Sequence, residues 1–200
     1  MRAAQAGLAG LDACIADTFN PISAEGTRMM NTLHELPHSQ TIRLTLNGQS
    51  IEREVQARTH LVDFLRDGAE LKGSHLGCEH GVCGACTVQL DGKIVRGCLV
   101  LAVQADGRSV NTVEGLSDSG ALKELQAAFI KRNALQCGFC TSGMLLAAHE
   151  LVEQRPNATR EDVREWISGN YCRCTGYQAI VDAICDVLTE RIKAGQGAAA

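Results

Sequence analysis

No stretch of this sequence stays apolar long enough to cross a membrane. Near the start, Asp12 and Asp17 interrupt the only segment that could pass for a signal peptide, and Arg2 has no second arginine beside it. An excess of positive charge is also missing. The net charge is −4, which gives no electrostatic footprint for nucleic acid. Neither Gly-x-Gly-x-x-Gly nor Gly-x4-Gly-Lys-Ser/Thr occurs, so no glycine loop of the phosphate-cradling kinds is present. Aromatic residues are scarce at 4%, whereas a hydrophobic share of 45% is ordinary for a globular chain. What the sequence has in quantity is cysteine, ten in 200 residues.

Three of them fall within nine positions, in Gly77-Cys78-Glu79-His80-Gly81-Val82-Cys83-Gly84-Ala85-Cys86, and Cys98 follows. A loop offering three thiolates so close together must turn tightly around what they bind, and glycine enters positive φ without steric cost. The spacing Cys-x4-Cys-x2-Cys with a later Cys is that of plant-type [2Fe–2S] sites. Zinc and disulfides are the alternatives. Zinc sites pair two knuckles or follow a Cys knuckle with a His-x3-5-His; His75 and His80 have that spacing but straddle Cys78 instead of following a Cys pair. Disulfides belong to oxidising compartments, and no secretory segment is visible.

The second set is Gln136-Cys137-Gly138-Phe139-Cys140-Thr141 with Gly169-Asn170-Tyr171-Cys172-Arg173-Cys174-Thr175-Gly176-Tyr177. A lone Cys-x2-Cys serves redox motifs, zinc knuckles and clusters alike. Cys-x-Cys can address one centre only from a turn or a helix start, because alternate residues diverge in a strand. Together the two pairs supply four soft ligands, enough for a second cluster. The sets differ in spacing and context, so they are not a repeat. Cys14 and Cys185 are left over, the latter on an apolar helical stripe where a free thiol acts as a small hydrophobe. The six histidines lie in unrelated contexts, and only His80 is placed to tune a cluster. Phe139 and Trp166 read as core residues, and Arg173 could offset cluster charge.

Along the chain, residues 42–46 alternate apolar and polar, Asn47-Gly48 predicts a hairpin, and residues 51–55 return. Thr59 is placed to cap a short helix with Leu61, Phe64 and Leu65 on one face. Asp91-Gly92 predicts a second hairpin, and Asp106-Gly107 a turn ahead of a strand over 110–113. Residues 115–120 read as a hinge rich in Gly, Ser and Asp. Beyond it the apolar period becomes helical, through Leu122, Leu125 and Phe129, then a helix capped by Thr141. A third helix opens on the Thr159/Asp162 capping box, and the last carries Ile180, Ile184, Leu188 and Ile192. Four such helices suffice for a small antiparallel bundle.

Gly-Cys-Glu-x-Gly-x-Cys-Gly-x-Cys-Thr, Gln-Cys-Gly-Phe-Cys-Thr and Gly-Asn-x-Cys-Arg-Cys-Thr-Gly-Tyr stand here in that order. Over residues 42–190 the chain therefore resembles the iron–sulfur subunit of the molybdenum hydroxylases, the xanthine dehydrogenase, aldehyde oxidoreductase and carbon monoxide dehydrogenase family. Ser142 departs from the family's usual Pro at a first helical position. The resemblance implies an α+β chain, a plant-type ferredoxin-like β-grasp domain over 41–115 followed by an all-α four-helix-bundle domain over 116–194. Residues 1–40 would be an extension, flexible or ordered by a partner, and 195–200 a tail. It further implies that Cys78, Cys83, Cys86 and Cys98 hold a flavin-side [2Fe–2S] cluster. Cys137, Cys140, Cys172 and Cys174 would hold a molybdenum-side one, with Gln136 and Cys174 approaching the pterin. The chain would then relay electrons from a molybdenum–pterin large subunit to an FAD medium subunit. The complex expected is a cytoplasmic heterotrimer or a dimer of heterotrimers, with the partner domains on separate polypeptides. The substrate, an N-heteroaromatic compound or an aldehyde, would be bound by a partner. A free two-cluster ferredoxin and a zinc-stapled interaction module are the competing readings.

Overall fold

The computed structural model describes residues 38–197. The expected extension and Cys14 lie outside this range except for residues 38–40, as do residues 198–200 of the tail. The described part opens with β1 (Ser39–Leu46) and β2 (Gln49–Gln56), paired antiparallel from Ser39↔Gln56 to Leu46↔Gln49. The turn between them is Asn47-Gly48, both at positive φ, as a two-residue hairpin of this hand demands. β3 (Thr87–Leu90) and β4 (Lys93–Arg96) form a second hairpin over Asp91-Gly92. β5 (Ser109–Asn111) lies parallel to β1 and antiparallel to β3, which closes a five-stranded sheet in the order β2-β1-β5-β3-β4.

α1 (Leu61–Asp63) runs on into a wider π turn over Phe64–Gly68. It buries Leu61, Phe64 and Leu65 against Ile42, Leu44, Val88 and Val110 of the sheet. Thr59 does not cap it; His60 stands at the N-cap with no side-chain bond. The Thr59 carbonyl instead accepts from Ala102 N at 2.8 Å, and His60 bridges to Leu101, so this corner is spent on closing the sheet end.

The helical half begins earlier than expected. Residues 115–120 are no hinge, because α2 (Val113–Asp118) occupies most of that stretch. Leu116 packs on the helical core, and Gly115 lies so close to the Asn47 side chain that a Cβ there would collide with it. Local composition could not reveal either contact, since both partners are distant in sequence. Next come α3 (Lys123–Lys131), α4 (Thr141–Gln154), α5 (Arg160–Trp166) and α6 (Gln178–Gly197). α6 thus continues past residue 194, where the tail was expected. Their shared core holds Leu125, Phe129, Met144, Leu151, Ile167 and Ile184, separate from the core under the sheet. Thr141 is the first residue of α4 rather than its cap; Cys140, already helical in φ and ψ, precedes it. Gly138 at φ +82 turns the chain there, and Thr141 N donates to its carbonyl at 3.0 Å. The Thr159/Asp162 box on α5 forms as expected. β3 is buried along all four residues, including Thr87 and Gln89.

Candidate metal centres

The loop between α1 and β3 contains hardly any regular structure, and its turns come from Glu79, Gly81 and Gly84, all at positive φ. This winding aims amides at sulfur. Cys83 N donates to Cys78 Sγ at 3.4 Å. The Cys83 and His80 amides hold the Cys78 thiol down to about 6, which favours the thiolate form that binds metal. Gly77 is closely packed: a Cβ there would sit 3.2 Å from Cys83 Sγ and 3.4 Å from the Phe139 ring, so a larger residue would press on the thiol. Cys86 and Cys98 are buried beside Val62. Burial, together with a proton shared with Cys98, pushes Cys86 up to about 11.

The second set lies where α4 starts and where the chain between α5 and α6 turns. Cys174 Sγ donates to Cys137 Sγ at 3.5 Å, and both residues are exposed. Cys140 faces Cys172 and is pushed up to about 12, by burial first and then by the thiol it shares a proton with. Burial also works against ionisation of Cys172, but the Thr175 hydroxyl at 3.1 Å from its sulfur and nearby amides outweigh it, so its pKa falls. Tyr177, itself at φ +67, accepts from Cys172 N at 2.9 Å. Gln136 Nε2 donates to the Cys174 carbonyl at 3.1 Å, which ties the two halves of the set together.

The thiols therefore meet in pairs: Cys78 with Cys83, Cys86 with Cys98, Cys137 with Cys174, Cys140 with Cys172. Among the described residues no three His, Cys, Asp or Glu are arranged around a single metal ion. Zinc would ask for four ligands about one point. A [2Fe–2S] centre takes two from each side, one pair per iron, and the arrangement fits that requirement. Thiols raised by burial, such as Cys86 and Cys140, also need a cation's charge to stay deprotonated.

Of the other residues singled out, His80 and Arg173 are exposed, and no described ion pair includes Arg173. Phe139 is 46% exposed and not a core residue; its ring stacks on His75 with centroids 4.7 Å apart. Trp166 packs against the helical core and donates to the Ala147 carbonyl at 2.9 Å. Cys185 lies half-buried against the same core. Beside Asn170, which the third motif contains, two residues that no motif flagged also shape the site. His75 Nδ1 lies 2.9 Å from the Phe139 carbonyl, and Arg96 and Asn170 join the two cysteine loops. Their partners are more than 60 residues away, so no local pattern could have announced them.

Residues 44–116 match a family described as a 2Fe-2S iron-sulfur cluster binding domain, and residues 112–185 one described as a [2Fe-2S] binding domain. Fold and thiols thus define a protein with two [2Fe–2S] centres in tandem. The chain is 54% identical over 152 residues to the caffeine dehydrogenase subunit gamma of Pseudomonas sp. strain CBB1, covering 74% of this chain and 91% of that protein. It is 57% identical over 145 residues to the nicotine 6-hydroxylase small subunit of Paenarthrobacter nicotinovorans, covering 72% and 87%. Against the crystal structure of quinoline 2-oxidoreductase from Pseudomonas putida 86, the TM-score is 0.74 and the identity 48%, over 80% of this chain and 99% of that one. The chain belongs to the [2Fe–2S] iron–sulfur subunits of the molybdenum hydroxylase family. It is an electron-transfer component of an oxidoreductase, with two [2Fe–2S] clusters of its own and molybdenum–pterin and FAD on partner subunits.

Proposed function

We propose that Cys78, Cys83, Cys86 and Cys98 hold one cluster and Cys137, Cys140, Cys172 and Cys174 the other. The pairing of the eight thiols carries this reading: each pair would serve one iron. A bound [2Fe–2S] cluster accepts and releases one electron at a time. The residues do the rest. Amides of Cys83 and His80 stabilise negative charge at Cys78, and the Thr175 hydroxyl does so at Cys172, which sets each site's potential. In this reading the sheet portion is a β-grasp domain over 41–115, and the helices over 116–194 form a four-helix bundle around the second site.

The second set faces the molybdenum partner and the first the flavin partner, in a cytoplasmic heterotrimer or its dimer. Exposed apolar side chains border both sets: Val82 and Leu99 at the first, Leu135 and Tyr171 at the second. A partner surface would cover them. The named relatives act on caffeine and nicotine, and the solved structure is a quinoline oxidoreductase. An N-heteroaromatic substrate, bound in the molybdenum partner, follows from that similarity.

Iron, acid-labile sulfide and zinc analysis with electron paramagnetic resonance tests the assignment. Two distinguishable signals are expected after dithionite reduction, and Cys140→Ser or Cys172→Ser should each remove the same one. Loss of different signals, or zinc in place of iron, would overturn it. Co-purification separates the subunit from a free ferredoxin, and turnover of quinoline against an aldehyde by the purified complex tests the substrate class.

A further inference from the structure

The loops carrying the two cysteine sets touch each other directly. Tyr171 N, one residue before Cys172, donates to the Cys83 carbonyl at 2.8 Å. Asn170, 2% exposed, donates through Nδ2 to the Gly84 carbonyl at 3.2 Å. One hydrogen bond therefore separates a ligand residue of the first set from the residue preceding a ligand of the second. Backbone contacts of this kind drift unless something holds both loops in register, and the holding group here is a guanidinium.

Arg96 closes β4 and is half-buried. Its Nη1 donates to Thr87 Oγ1, whose own proton goes to the Gly84 carbonyl at 2.6 Å. Its Nη2 donates to the Gly169 carbonyl at 2.7 Å and lies 3.4 Å from Asn170 Oδ1. One arm thus grips the base of the first loop, and the other the start of the second. No carboxylate neutralises Arg96 among the described ion pairs, so both arms are committed to this bridge. Glycines let the loops close up: a Cβ at Gly84 would lie 2.6 Å from both Asn170 Nδ2 and the Gly169 carbonyl oxygen.

We infer that Arg96 is a positioning residue for the relay, holding the Tyr171 amide on the Cys83 carbonyl so that the two centres keep a fixed separation and coupling. It touches no thiol. Its planar fork is the property that matters, because a lysine would carry the same charge from one point and could not span both loops. The inference rests on the ligand assignment proposed above.

The test uses the assembled complex with Arg96→Lys, and Thr87→Val as an independent cut of the same bridge. Three readouts are followed: iron and sulfide content, the low-temperature spin–spin splitting between the reduced clusters, and hydrogen exchange of the Tyr171 amide. With iron retained, Arg96→Lys should reduce the splitting, speed exchange at Tyr171 and slow substrate-to-flavin electron transfer several-fold. The potentials should stay near wild type because the charge is kept. Thr87→Val should do the same if the lysine variant fails to assemble. Arg132→Lys, which alters an arginine fork to Asp186 between α3 and α6, should change none of these. Wild-type splitting and exchange in an iron-replete Arg96→Lys or Thr87→Val protein would overturn the inference. Absence of the two signals from the wild type would instead overturn the ligand assignment.

Discussion

A methyl group at position 143 would run into the Gly84 carbonyl oxygen. Gly143 lies in the first turn of α4, where alanine would ordinarily gain about 1 kcal/mol of helix propensity. Here the obstacle is backbone of the first cysteine loop, which is itself pinned by Asn170 and Thr87. Overpacking against a fixed group costs about 1–3 kcal/mol, so the collision wins. Gly143→Ala should lower stability in denaturant titration with the slope preserved. His149, on the same helix, offers a test by pH. Its Nδ1 is buried without a partner, and burial is the main reason its pKa lies below 6.5. Glu153 and Glu150 pull the other way, while Arg191 adds to the depression. The unfolded chain thus takes up this proton more readily than the folded one. The associated stability is complete above pH 6.5 and declines as the pH falls toward the folded-state value. His149→Gln should flatten the stability profile below pH 6.5 relative to wild type.

At the scale of elements, α5 begins with two reciprocal bonds. Thr159 Oγ1 accepts from Asp162 N at 3.2 Å, and Asp162 Oδ2 accepts from Thr159 N at 2.7 Å. α5 buries Val163 and leads through a 3₁₀ turn (Ile167–Gly169) into the loop of Cys172 and Cys174. Thr159→Ala should cost about 1 kcal/mol in thermal or chemical denaturation, within the usual range for a lost cap. That box was readable in the sequence because all its parts lie within four residues, as were the Asn47-Gly48 and Asp91-Gly92 hairpins. Thr59 and Thr141 have the same chemistry and do not cap, because the Thr59 backbone closes the sheet and Cys140 enters α4 from a turn. Spacing singled out the eight thiols proposed as ligands for the same reason of nearness. It could not show which thiol meets which between Cys137 and Cys174, 37 positions apart, nor that Phe139 would stack on His75 at the surface instead of joining the core. The Gly115–Gly120 stretch misled because glycine and serine report local freedom, whereas Leu116 and Gly115 are held by residues far along the chain.

For the described residues as a whole, two apolar cores share one compact unit. Polar bonds do much of the joining. Besides the Arg96 bridge, Glu150 on α4, only 8% exposed, accepts from Ile94 N of β4 at 2.9 Å. Such a bond contributes little net energy while both partners are present, but stranding a buried N–H costs about 1–3 kcal/mol. Glu150→Ala should therefore destabilise by that order, and Glu150→Gln, which keeps an acceptor oxygen, should recover most of it. If the halves depend on each other through these ties, calorimetry of the iron-loaded wild type should show a single transition. Glu150→Ala should shift that transition down as one peak while the splitting between the reduced clusters persists, since the Tyr171–Cys83 contact is held by separate groups. Two resolved peaks in the wild type would mean that the sheet and the helices fold as independent bodies. A fixed electronic contact between the two centres would then have to be maintained by the partner subunits rather than by this chain.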